Sequence, residues 1–210
     1  MVDAPPSPRG LILRRIVLVG WLVLPVGAWA YHEGPGQDRV ALEATEAVLA
    51  SAHQAASEGD WKLAIREYEA ALESLPKDPE AFDVRVAQRL QIELNKARMQ
   101  SEGLIEARDE LATLVEQMQA DEGSDPTLLR DARQALARAQ FYKTWLMRLE
   151  GLDRKVWEPE IEAARQNWRL LAEQAGSESE KTLHQEDLEA AVRLARMEME
   201  DLQGLPLPSE

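Results

Sequence analysis

Between Asp38 and Leu202 apolar residues recur at three- and four-residue spacing, interrupted by glycine, proline and capping residues rather than by β-like alternation. Such a chain folds as amphipathic helices, each needing a neighbour to cover its apolar face. Asp38 offers an N-cap for a helix to Ser57 with Val40, Ala44, Ala47, Val48, Ala52 and Ala55 on one broad face. Gly59 ends it, Asp60 caps a second helix to Ser74, and Pro76 with Pro79 forces a turn, because proline excludes the preceding residue from helical geometry. A helix from Pro79 to Gln100 aligns Phe82, Val86, Leu90, Leu94 and Ala97, and a partner from Gly103 to Asp121 aligns Leu104, Ala107, Leu111, Leu114 and Met118. Beyond Gly123 and Pro126, a helix from Thr127 to Leu149 is expected to bury Leu128, Ala132, Ala135, Ala139, Tyr142, Leu146 and Leu149. Gly151 to Val156 reads as a loop. Pro159 reads as a first-turn proline, and Ile161, Ala164, Trp168, Leu171 and Ala175 line a helix that stops at Gly176. A last helix spans Ser179 to Leu202.

The expected fold is therefore all-α: three antiparallel helical hairpins stacked in a row, with the last helix capping the open end. Ala, Leu, Glu, Arg and Gln dominate, and these lose little side-chain freedom in helices. Four stretches are predicted: residues 1–30 an export signal, 31–37 a flexible linker containing Gly34, Pro35 and Gly36, 38–203 the helical domain, and 204–210 a disordered tail.

Gly59-Asp60-Trp61, Ala64, Tyr68, Ala71-Leu72 and Pro76 resemble the second half of a tetratricopeptide repeat (TPR). Gly59 allows the tight interhelix turn, Ala64 and Ala71 let two backbones approach, Tyr68 and Leu72 fill the space between them, and Pro76 stops the helix. The match covers about residues 39–78. The second hairpin keeps an echo in Gly103, Ala107, Leu111 and Leu114, but the step from Ala64 to Ala107 is 43 residues against the family's roughly 34. The resemblance implies a short right-handed solenoid whose first helices line a concave groove, and a protein that binds other proteins.

Arg9, Arg14 and Arg15 precede an apolar run from Ile16 to Ala30, the order of parts in a secretory signal. Ala28-Trp29-Ala30 supplies the small residues for cleavage before Tyr31, which predicts a periplasmic or other extracytoplasmic location. Alternatively, residues 11–30 persist as a membrane anchor. The Arg14-Arg15 pair also faintly resembles a twin-arginine signal.

The formal charge of -14 becomes -16 without residues 1–30, a field that repels phosphate backbones and anionic lipid headgroups. Nucleic acid is thus not expected as a partner, and a membrane only through an uncleaved N-terminal segment. The absence of cysteine excludes disulfides, thiolate metal sites and cysteine nucleophiles. His32, His53 and His184 lie in no metal-binding spacing and read as surface residues. Glu67 and Glu73, or Glu106 and Glu110, could pair as glycosidase carboxylates, but they sit among helix formers with Lys and Arg nearby, as solvated faces do. Neither catalytic residue, metal nor cofactor is expected.

The charges are segregated. The long first helices hold Arg85, Arg89, Lys96, Arg130, Arg133 and Arg138 against few acids, whereas Glu102, Glu106, Asp109, Glu110 and Glu116 crowd the segment that follows the first of them. Arg85, Arg89 and Lys96 share one stripe. They predict a groove for an acidic or C-terminal peptide segment of a protein partner, or else cations that pair with neighbouring helices. Phe141, Trp145 and Trp157 belong to an aromatic cluster that serves either the core or an apolar docking patch. The function expected is a non-catalytic, exported scaffold organising an envelope complex. A membrane-anchored subunit of such a complex and a cell-wall-acting enzyme or its accessory subunit stand as alternatives.

Overall fold

The computed structural model describes residues 47–76, 83–198 and 201–202. Among these residues the chain is entirely helical, with seven helices and no strand. The first, α1, is described over 47–57. It is followed by α2 (Trp61–Ser74), α3 (Val84–Met99), α4 (Leu104–Ala120), α5 (Pro126–Leu149), α6 (Arg154–Glu173) and α7 (Glu178–Arg196). Consecutive helices pack against one another, and α3 also touches α5. None of the described helices is long and apolar enough to cross a membrane. The expected signal with Ala28 and Ala30, the expected linker, Phe82 and residues 204–210 lie outside the described residues.

The ends of the helices follow from short polar side chains. Asp60 accepts from Leu63 N at 3.0 Å, Asp83 from Arg85 N at 3.0 Å, Asp125 from Thr127 N at 2.7 Å, and Ser177 from Glu180 N at 3.2 Å. Each satisfies a first-turn amide that has no partner within the helix. Gly59 turns the chain between α1 and α2 at φ +78°, where an L side chain would be strained.

Three cores lie in succession along the chain. Ala52 and Ala55 of α1 meet Ala64, Tyr68 and Ala71 of α2 and Leu90, Leu94 and Ala97 of α3. Ile92 of α3 joins Leu111, Leu114, Val115 and Met118 of α4 and Leu128, Ala132, Ala135, Leu136 and Ala139 of α5. Ala137 and Phe141 of α5 then pack with Trp157, Ile161, Ala164, Trp168 and Leu171 of α6, Ala190, Ala191 and Leu194 of α7, and Leu202. The helices α3 and α5 serve two cores each, so both bury more than the single stripe their periodicity announces.

Several boundaries differ from expectation. Helix α3 starts at Val84 rather than Pro79, because Asp83 is a non-helical cap. Helix α6 begins at Arg154, inside the expected loop, and ends at Glu173 rather than Gly176. Pro159 therefore lies in the second turn, where its missing N–H removes the bond to the carbonyl of Lys155. Helix α7 stops at Arg196, and Leu202 returns to the core beyond it.

Candidate functional site

A cavity of about 230 Å³ opens where the first hairpin meets the two basic helices. Ala56, Trp61 and Tyr68 line it from α1 and α2, Glu93, Lys96, Ala97 and Met99 from α3, Gln100 just beyond, and Ala135, Arg138 and Tyr142 from α5. The local sequence explains the opening. Ala56, Ala97 and Ala135 face a junction of three helices with side chains too short to fill it, and the aromatic residues wall its edges. Tyr68 is 1% exposed, and burial, with the Glu93 carboxylate second, pushes its phenol up to about 12. Lys96 Nζ lies 2.9 Å from Glu93 Oε1, so the wall offers a paired cation and carboxylate side by side, with the Arg138 guanidinium opposite on α5.

Of the six cations expected in a groove, Lys96 and Arg138 line this cavity. Arg85 and Arg89 are exposed on the α3 stripe that leads away from it, and Arg85 closes on its own helix cap, Asp83. That pairing holds the Asp83 carboxyl below its ordinary range. Arg130 is half-buried near the start of α5.

Arg133 corrects the expectation outright. It is 5% exposed and points toward α6, where its Nη1 donates to Gln174 Oε1 at 3.5 Å while its Nε finds no acceptor. Burial without a carboxylate pulls its pKa down. Its position on α5 is a third of a turn from the apolar stripe, which reads as surface until α6 covers it.

Pairing with neighbouring helices, the alternative reading, is seen for Arg98 and Lys143 of the two basic helices, and also for Arg108 of α4. Arg98 joins Glu69 of α2 at 2.9 Å to Glu110 of α4 at 2.7 Å. Arg108 grips Glu160 with Nε at 2.5 Å and Nη2 at 3.0 Å, and Lys143 stands 3.6 Å from the same carboxylate, so one buried acid ties α4, α5 and α6 together. Sequence reading passed over Glu160, whose only visible signal is its place one turn before Ala164 on the buried face.

Of the two readings of Phe141, Trp145 and Trp157, the core rather than a docking patch agrees with their burial. Phe141 is 1% and Trp157 7% exposed, both in the third core, and Trp145 packs against that core from its edge. Arg148 lies over the Trp157 ring at 4.9 Å. Conversely, Leu146 and Leu149, expected inside, are exposed. Of the residues that carry the TPR resemblance, Ala64, Tyr68 and Ala71 are buried, Trp61 is half-buried in the cavity wall, and Pro76 follows the end of α2.

Among the histidines, His53 is exposed with its ring edge-on to Tyr68 at 5.8 Å. His184 is not a surface residue: it is 5% exposed and stacked on Trp168, ring centroids 5.9 Å apart. Glu106 and Glu110 are exposed and Glu67 half-buried, with Glu110 engaged by Arg98. No described cluster of three His, Cys, Asp or Glu residues is placed to hold a metal ion.

Comparison with known families, curated proteins and solved structures finds no match to this chain.

Proposed function

We propose that the chain is an exported, TPR-like scaffold that holds a protein partner through a segment rich in carboxylates, within an envelope complex. The supporting observation is the cavity itself, an aromatic and small-residue hollow between the first hairpin and the two helices with a cationic excess. Helix α3 supplies Lys96 and helix α5 supplies Arg138 to its lining, with Arg89 exposed on the stripe beyond Lys96. Carboxylates of a partner gain charge-assisted hydrogen bonds there and are repelled elsewhere on the molecule. In this reading the hairpins form a short right-handed solenoid with α7 as its cap, the first helices line the groove, and residues 1–30 direct export.

Charge reversal at the rim tests it. Lys96→Glu combined with Arg89→Glu should weaken capture of an acidic peptide about tenfold or more at low salt, with unchanged far-UV circular dichroism. Unaltered binding would remove the groove. The export component is tested separately by the mass of the mature N-terminus in cell fractions, which should begin at Tyr31.

A further inference from the structure

The cavity beside the first hairpin takes one face of α3 only. Glu93, Lys96 and Ala97 turn toward it, and helical periodicity puts Gln91 and Asn95 on the opposite face, along the seam with α4. A second cleft, of about 370 Å³, opens there, lined by Gln91 and Asn95 from α3 and by Asp109, Glu110, Thr113 and Gln117 from α4. Asn95 is 1% exposed, whereas the other five are exposed, so the cleft is open to solvent. The Asn95 Nδ2 donates to the carbonyl of Gln91 at 2.9 Å, which fixes the orientation of the amide, and its Oδ1 meets no donor among the described residues. A buried amide oxygen without a donor is costly, and folded proteins rarely keep one without a reason. The charges beside it are also out of balance. The lining of the cleft holds two carboxylates and, among the described residues, no cation. Arg98 takes Glu110 Oε1 but divides itself with Glu69, and Arg108 takes Asp109 Oδ1 while gripping Glu160, which Lys143 also approaches. Three cations thus serve four carboxylates, and Asp109 and Glu110 each keep a second oxygen.

We infer that this cleft binds a primary ammonium group at the end of an alkyl chain, which donates to Asn95 Oδ1 while Asp109 and Glu110 hold its charge. The site is separate from the first cavity and from the reading of that cavity as a groove for acidic segments. An ammonium carries three donors on one atom, and the acceptors of the cleft come singly, one from Asn95 and one left on each carboxylate. A guanidinium fits poorly, because its paired bonds need both oxygens of a carboxylate, and Arg98 and Arg108 already hold one oxygen of each. A divalent cation fits poorly too, since the described residues bring no three His, Cys, Asp or Glu together there. Water would satisfy Asn95 and leave the surplus negative charge as it is. Leu114, which also lines the cleft, gives the alkyl stem an apolar contact. A free polyamine and a lysine side chain of a partner present the same group.

The test titrates the intact, isotope-labelled protein with spermidine and, separately, with N-acetyl-lysine methylamide, and follows the side-chain amides of Gln91, Asn95 and Gln117 by NMR. Salt at about 150 mM screens diffuse attraction to the acidic surface. Saturable shifts of these amides are expected, with both probes where the site takes a partner's lysine and with spermidine alone where it serves free polyamines. Asn95→Leu should weaken binding about tenfold or more, read from the glutamine amides, because a hydrogen bond to a charged group is lost. Its thermal midpoint should stay the same or rise, since the variant removes an acceptor that has no donor in the chain. If Asn95→Leu fails to fold, Asp109→Asn, at an exposed position, carries the test: it should weaken binding and flatten its salt dependence with an unchanged melt. Four results would each overturn the site. They are binding that survives Asn95→Leu, equal binding of Mg²⁺, tighter binding of N-acetyl-arginine methylamide, and the lack of a saturable shift with either probe.

Discussion

Tyr68 sits at the back of the cavity with its phenol raised from 10.0 to about 12 by burial and, after that, by Glu93. In the unfolded chain this group ionises near 10, whereas in the fold it keeps its proton, so between pH 10 and 12 the native state binds more protons than the unfolded one. Stability must fall across that window and be fully present below it. Denaturation midpoints measured from pH 9 to 12 should show the decline, and Tyr68→Phe should flatten it. Glu160 offers a second test. Arg108→Ala leaves that buried carboxylate with Lys143 alone, and urea titration should show a loss of about 3 kcal/mol, the low end for breaking a buried pair because Lys143 stays. At this scale the sequence was readable where one rule dominated: Asp60, Gly59 and Pro76 each do what their chemistry requires. It was opaque for Arg133 and His184, whose burial depends on a third helix arriving from a direction that no local pattern records.

Helices were more legible than their ends. The apolar period located every described helix, yet α3 and α6 begin elsewhere than expected because two residues competed for each start. Pro79 and Pro159 both look like first-turn prolines, but Asp83 and Asp153 occupy the N-cap positions. The misreading of Leu146 and Leu149 arose differently. Their spacing continues a buried stripe without fault, and only the shorter length of α3 leaves them uncovered, a fact about a neighbour rather than about α5. The end of α7 depends on another residue of α5, since Arg148 donates Nη1 to the carbonyl of Leu194 and Nη2 to that of Met197. Terminal carbonyls of a helix have no partner within it, so this guanidinium serves as the cap. Arg148→Ala should cost about 1–3 kcal/mol through those buried acceptors, and should raise amide hydrogen exchange selectively in the last turn of α7.

For the whole molecule, three cores in series mean that damage stays local. Leu90→Ala, in the first core, should cost about 2–5 kcal/mol and speed exchange in α1 to α3 while α6 and α7 keep most of their protection. Uniform loss across the chain would show instead that the three cores open as one. The segregation of charge was visible in the sequence before any contact was known, but the roles of individual cations were not, because a surface arginine and a buried one look alike until packing is specified. Arg148, which caps α7 from within α5, has a mechanical consequence. It lies two residues from Leu146, so a single turn of α5 turns an apolar side chain to solvent and a guanidinium to the last carbonyls of α7, and fraying of that turn releases the end of α7 with it.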